Sequence, residues 1–190
     1  MPSIARCLSS LALVLAACAA PPERLAEYLD QTTGATVTSV ESPFVFARTR
    51  LELAYGARDY VTLAAASVDR TGHIEQVLLG YVWSTVDPRM RHDPEPANQT
   101  LLIAADDRVI VLSADPRTAR EVGIASPVAV PTGSNATQLV YPIDIATLRF
   151  LAAARELRLT IRSGTDPRPF ELWGDGRGAL REYLRKIAGE

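Results

Sequence analysis

The stretch that decides the fold runs from residue 59 to residue 86. It reads DYVTLAAASVD (59–69), RTG (70–72) and HIEQVLLGYVWSTV (73–86). Both long runs are rich in β-branched, aromatic and small apolar residues, and Gly72 lies in the short link between them. That pattern predicts two long strands joined as a hairpin. In the second run Ile74, Leu78 and Val82 share one face, while Val77, Leu79, Tyr81 and Trp83 share the other. A strand that is apolar on both sides belongs in the middle of a sheet with a layer over each face.

Working outward, residues 36–40 and 44–49 read as short strands before the hairpin. Residues 101–105 and 109–113 flank Asp106-Asp107-Arg108 and predict a second hairpin, and residues 137–141 predict a further strand. Residues 87–97 contain Pro88, Pro94 and Pro96 and read as a surface loop. Asp144 can cap a helix running to about residue 155, with Ile145, Leu148 and Ala152 on one face. Leu157, Leu159 and Ile161 then alternate with Arg158, Thr160 and Arg162, a half-buried strand whose partner is residues 170–173. Leu180, Tyr183, Leu184 and Ile187 follow the i, i+3, i+4, i+7 rule of an amphipathic final helix. Near the start, Leu25, Tyr28 and Leu29 stand at i, i+3 and i+4 and predict one or two helical turns over residues 23–29. The expected class is α+β: one domain, mainly antiparallel sheet, with a short N-terminal helix and two helices near the C-terminus.

The 190 residues are 47% hydrophobic and 22% charged, proportions that exclude wholesale disorder. The length predicts one domain. A net charge of −2 lacks the electrostatic footprint of a general nucleic-acid binder. Both cysteines, Cys7 and Cys18, fall in the first 18 residues, so the body of the chain offers no thiol for catalysis, disulfides or metal ligation.

The N-terminus carries the most specific signal. Arg6 precedes an apolar stretch from Leu8 to Ala17, which ends in Leu15-Ala16-Ala17-Cys18. The stretch is too short to span a bilayer and has the form of a secretory signal. The tetrapeptide resembles the lipobox of bacterial lipoproteins: an aliphatic residue, two small residues and an obligatory Cys. The resemblance implies cleavage before Cys18, a diacylglyceryl group on its thiol and an acylated amine. More than one acyl chain on a residue gives stable membrane anchoring. Residues 1–17 are then a signal peptide, residues 18–22 a lipidated Cys with a short tether, and residues 23–190 a periplasmic domain. Ala19, standing where Asp marks inner-membrane retention in the enteric sorting pattern, implies the periplasmic face of the outer membrane. The alternatives are an inner-membrane anchor, or a soluble periplasmic protein cut after Ala20.

Residues 30–36 read Asp-Gln-Thr-Thr-Gly-Ala-Thr. This resembles the flavinylation motif of periplasmic FMN-binding domains, in which a transferase joins FMN to the last Thr, here Thr36. The chemistry needs an exposed hydroxyl beside a flexible Gly. That family continues into a helix, whereas Val37 to Pro43 reads as a strand ending at a proline.

Other groups are sparse. His73 and His92 are the two histidines, and neither stands in a metal-ligand spacing. Asp87, Asp93, Glu95, Asp106 and Asp107 are loop or turn carboxylates from which a hydrolase would draw its acid–base pair. Gly174-Asp175-Gly176-Arg177-Gly178 opens the last helix, where an anion could dock, but it lacks the Lys and Ser/Thr of a nucleotide loop. The leading expectation is a lipid-anchored envelope protein with a non-catalytic binding or scaffolding domain and no cofactor. Its partner is membrane lipid through the anchor, with an envelope protein or peptidoglycan as the bound component. A flavinylated electron-transfer module with covalent FMN on Thr36 is the alternative, and a hydrolase using the loop carboxylates the second alternative.

Overall fold

The chain is described from a computed structural model, which covers residues 25–87, 100–131, 136–163 and 166–188. Cys18 and most of the 87–97 loop lie outside the described residues. The hairpin read from residues 59–86 forms the centre of the molecule: β4 (Arg58–Arg70) and β5 (His73–Ser84) pair antiparallel from Asp59↔Ser84 to Arg70↔His73. Thr71 and Gly72 make the turn, both with positive φ, and the Asp69 carboxylate accepts the Gly72 N–H at 2.8 Å.

Two strands share the other edge of β4. β2 (Ala35–Val40) pairs with its C-terminal half and β3 (Phe44–Thr49) with its N-terminal half, separated by residues 41–43, where Pro43 has no N–H to continue a ladder. The sheet forks there. On one branch β2 pairs with β1 (Leu25–Asp30). On the other, β3 is followed by β10 (Asp166–Gly174), β9 (Leu157–Ser163), β6 (Thr100–Ala105) and β7 (Arg108–Ser113). The remaining strand, β8 (Thr137–Pro142), pairs with β5. Every pairing is antiparallel. The sheet curls until its ends approach, and the Asp115 N–H just beyond β7 donates to Val140 O of β8 at 2.7 Å. Pro167 and Pro169 are tolerated because that part of β10 pairs with β9 alone; its register with β3 begins at Glu171.

β4 is buried from Asp59 to Val68, as a strand covered on both faces must be. On one face Leu63, Ala65 and Leu78 meet Phe44 and Leu180 of α3 (Arg177–Ala188). On the other, Val68 lies against Gly123, and the Tyr81 hydroxyl donates to Val128 O at 2.5 Å. That second cover is the segment around the short helix α1 (Ala119–Val122). α2 (Ile145–Ala153) is capped by Asp144, whose carboxylate accepts the Thr147 N–H at 2.7 Å, and packs against α3. Full burial of side chains such as Leu63, Leu79 and Ile103 contributes about 1.5–3 kcal/mol each.

The architecture is therefore largely antiparallel sheet with helices, as expected, and both helices near the C-terminus are present. The N-terminal helix is corrected. Leu25–Asp30 is strand β1, in register with β2 from Leu25↔Val40 to Asp30↔Ala35. The stripe of Leu25, Tyr28 and Leu29 is too short to sustain a helix alone, and a ready partner strand stands across a tight turn. Leu29 consequently ends 62% exposed.

Candidate functional site

The residues of the 30–36 motif are held in structural roles. Asp30 is buried, and its carboxylate accepts four backbone N–H groups. Oδ1 takes those of Thr32 (3.0 Å) and Thr33 (3.2 Å); Oδ2 takes those of Ala125 and Ser126, both at 2.8 Å. These bonds, that of Ser126 foremost, hold the Asp30 carboxyl down to about 2 against the opposing effect of desolvation. The Thr33 hydroxyl donates to Gly123 O at 2.7 Å, and Gly34 sits at φ +70°, a conformation glycine adopts without strain. The motif thus ties the β1–β2 turn to the cover segment beyond α1. Thr36 follows on β2 with an exposed side chain, in a cross-strand row with Leu29, Asp69 and Ile74.

Among the described residues the other candidates form no metal-sized cluster. His73 is exposed at the start of β5; His92, Asp93 and Glu95 lie outside the described residues. Asp87 is exposed. Asp106, at φ +51° in the β6–β7 turn, accepts the N–H groups of Arg155 and Glu156, both at 2.9 Å, while Asp107 beside it is exposed. Among the described residues, no group of three or more His, Cys, Asp or Glu side chains stands close enough to hold a metal ion. The glycine-rich opening of α3 is filled from within. The Asp175 carboxylate accepts the Arg177 N–H at 3.0 Å and pairs with its guanidinium, which also donates to Ala154 O and Arg155 O at 2.7 and 2.8 Å.

A charged cluster that the sequence reading did not identify lies at the loop end of the β3–β4 hairpin. Arg50 and Asp59 are buried, at 6% and 7% exposure, and Arg50 Nη1 donates to Asp59 Oδ2 at 2.7 Å. Arg50 Nε also donates to Glu52, whose carboxyl this contact holds below its ordinary range. Directly across the register from Asp59 stands Arg48, and Ser84 is opposite on β5. Arg48 Nη1 and Asp59 Oδ1 are both buried and neither has a hydrogen-bond partner. An orphaned donor beside an orphaned acceptor suits one group that can accept and donate together, which is a hydroxyl or a water. Tyr60 and Trp83 stack nearby at 4.2 Å and 12°, and the Arg58 guanidinium lies 4.6 Å from the Trp173 ring centre. The sequence signal was the alternation Arg48-Thr49-Arg50 ahead of Asp59, invisible as a cluster until β3 and β4 are paired in register.

A second feature is an open groove of about 690 Å³ where β5, β7 and the β8–α2 junction meet. Ile74 and Val111 are well exposed along it and Ile145 partly so. Arg117 braces one side, bonding Glu75 at 2.5 Å and Asp115 at 2.6 Å. Set against protein-family models, curated proteins and solved structures, the chain matches none.

Proposed function

We propose that this is a lipid-anchored cell-envelope protein whose domain binds a partner on the periplasmic side of the outer membrane. The observation that carries the reading is Leu15-Ala16-Ala17-Cys18 placed directly after the apolar stretch, six residues before the first strand. Of the five carboxylates a hydrolase could draw on, Asp106 is committed to the backbone N–H groups of Arg155 and Glu156. The surface offered for recognition is the apolar groove beside β7. The mass of the intact protein taken from its native membrane tests the reading. A chain beginning at Cys18 and carrying acylated glycerol is expected. A chain beginning after Ala20, without acyl groups, overturns the anchor.

The second reading, covalent FMN on Thr36, is supported by the exposure of that hydroxyl. The same spectrum tests it, since esterified FMN adds its own mass increment and a yellow colour. A spectrum without that increment removes it.

A further inference from the structure

We propose that the outer side of α3, with the neighbouring edge of the β1–β2 face, lies against the anionic phospholipid headgroups of the membrane that holds Cys18. This rests on the lipid-anchor reading and adds an orientation to it. Seven Cα steps separate Cys18 from Leu25, so the anchored residue stands within about 25 Å of the start of β1 whatever path the tether takes. What surrounds Leu25 therefore comes close to the bilayer. α3 is part of that surrounding: Lys186 Nζ lies 2.5 Å from the Glu27 carboxylate of β1, two residues from Leu25. α3 is about 18 Å long, so its whole length falls within the same reach.

The charge on that helix suits an anionic surface. α3 carries Arg177, Arg181, Arg185 and Lys186 against Glu182; Arg177 is paired with Asp175 and Lys186 with Glu27, which leaves Arg181 and Arg185 to present charge outward. Arg181, Arg185 and Lys186 are exposed, while Ala179, Leu180, Tyr183 and Leu184 are buried against the sheet. The helix thus turns Arg181 and Arg185 away from the core, on the same side of the sheet as its contact with Glu27 of β1. Beside it the row Leu29, Thr36, Asp69, Ile74 lies two residues along from Gln76, which accepts from the Tyr183 hydroxyl. Leu29 is exposed there, an aliphatic group of the kind that settles among headgroups beside basic residues. The opposite face of β4 and β5 is covered by the segment around α1 and points away.

The test uses acylated mature protein on vesicles of pure phosphatidylcholine or of phosphatidylcholine with phosphatidylglycerol. A single thiol is introduced by Ala188→Cys at the end of α3, or by Arg120→Cys on α1 as the opposite-face control. On vesicles containing phosphatidylglycerol, maleimide labelling at Ala188→Cys is expected to slow about tenfold relative to phosphatidylcholine, the scale of one or two basic contacts. High salt should abolish the difference, Arg185→Glu should shrink it, and Arg120→Cys should label equally on both. Equal labelling of Ala188→Cys on the two compositions, or protection of Arg120→Cys instead, overturns the orientation. Flotation separates this from failure of the anchor: unanchored protein fails to float with phosphatidylcholine vesicles, whereas anchored protein in another orientation floats and labels freely.

Discussion

Asp30 shows how much a single buried carboxylate can organise. It joins the β1–β2 turn to backbone 95 residues further along, at Ala125 and Ser126. Its folded pKa, near 2, lies below the ordinary carboxylate value of 3.8. The stability it contributes is therefore fully present above about pH 4 and is lost as the pH falls toward 2. Asp30→Asn, whose side-chain carbonyl cannot accept all four N–H groups, should lower the urea midpoint at neutral pH and flatten its dependence on pH between 4 and 2. An unchanged acid slope would show that Asp30 is not the titrating group. Arg48 and Asp59 give an asymmetric pair of outcomes. Asp59→Asn weakens the buried pair with Arg50 and should cost about 3–5 kcal/mol, the loss typical of breaking such a pair. Arg48→Met removes an orphaned buried donor and should be near neutral or stabilising in urea unfolding. Equal losses for the two variants would mean that Arg48 is satisfied. Neither role was legible in the sequence. Asp30 was read as the opening of a flavinylation-like motif, and its distant partners follow no local pattern. Arg48 and Asp59 are eleven positions apart and meet only through strand register.

The elements were read with uneven success, for physical reasons. The β4–β5 hairpin was legible because a long two-faced apolar run and a glycine turn leave few other structures. α2 and α3 were legible because Asp144 caps one and a full apolar stripe defines the other. β1 was misread because Leu25, Tyr28 and Leu29 satisfy a helical period over a segment so short that pairing with β2 decides its fate. α1 was overlooked, although Thr118 and Glu121 form a capping box that the sequence displays: the Thr118 hydroxyl accepts the Glu121 N–H, and the Glu121 carboxylate accepts the Thr118 N–H at 2.7 Å. The junction of β10 and α3 carries its own prediction. A Cβ at Gly176 would stand 2.6 Å from the backbone nitrogen of Phe44 and 2.7 Å from the carbonyl carbon of Pro43. Backbone cannot swing aside as a side-chain tip does, so Gly176→Ala should cost about 1–3 kcal/mol. An unchanged denaturation midpoint would mean that α3 does not press on the β2–β3 link. Tyr81, whose hydroxyl burial pushes up to about 12, clips the cover segment through Val128 O and also accepts from Gln138 at 3.0 Å. Tyr81→Phe should cost about 1 kcal/mol and speed hydrogen exchange around residues 123–128 more than in β4.

At the scale of the molecule, the covers on the two faces of the central hairpin differ in kind. The α3 side turns Arg181 and Arg185 outward; the α1 side is tied down by Asp30, Thr33 and Tyr81. The ends of the sheet meet where the Asp115 N–H beyond β7 donates to Val140 O of β8, and the groove opens beside that seam. On the proposed lipid-anchor reading the attachment point, Cys18, lies ahead of Leu25, where the paired sheet begins. Anchoring and folding should therefore separate on mutation. Cys18→Ser replaces the nucleophile of lipidation with an alcohol and should reduce the mature membrane-bound fraction by about tenfold or more, since stable anchoring needs the acyl chains. The melting temperature of the purified variant should stay that of the wild-type domain, because every buried contact from Leu25 onward is retained. Fractionation and a thermal melt on the same preparation read both effects. A variant still acylated and still recovered with membranes would remove Cys18 as the attachment point. A variant released but unfolded would show instead that the anchored segment supports the fold, and β1 would be the strand through which it does so.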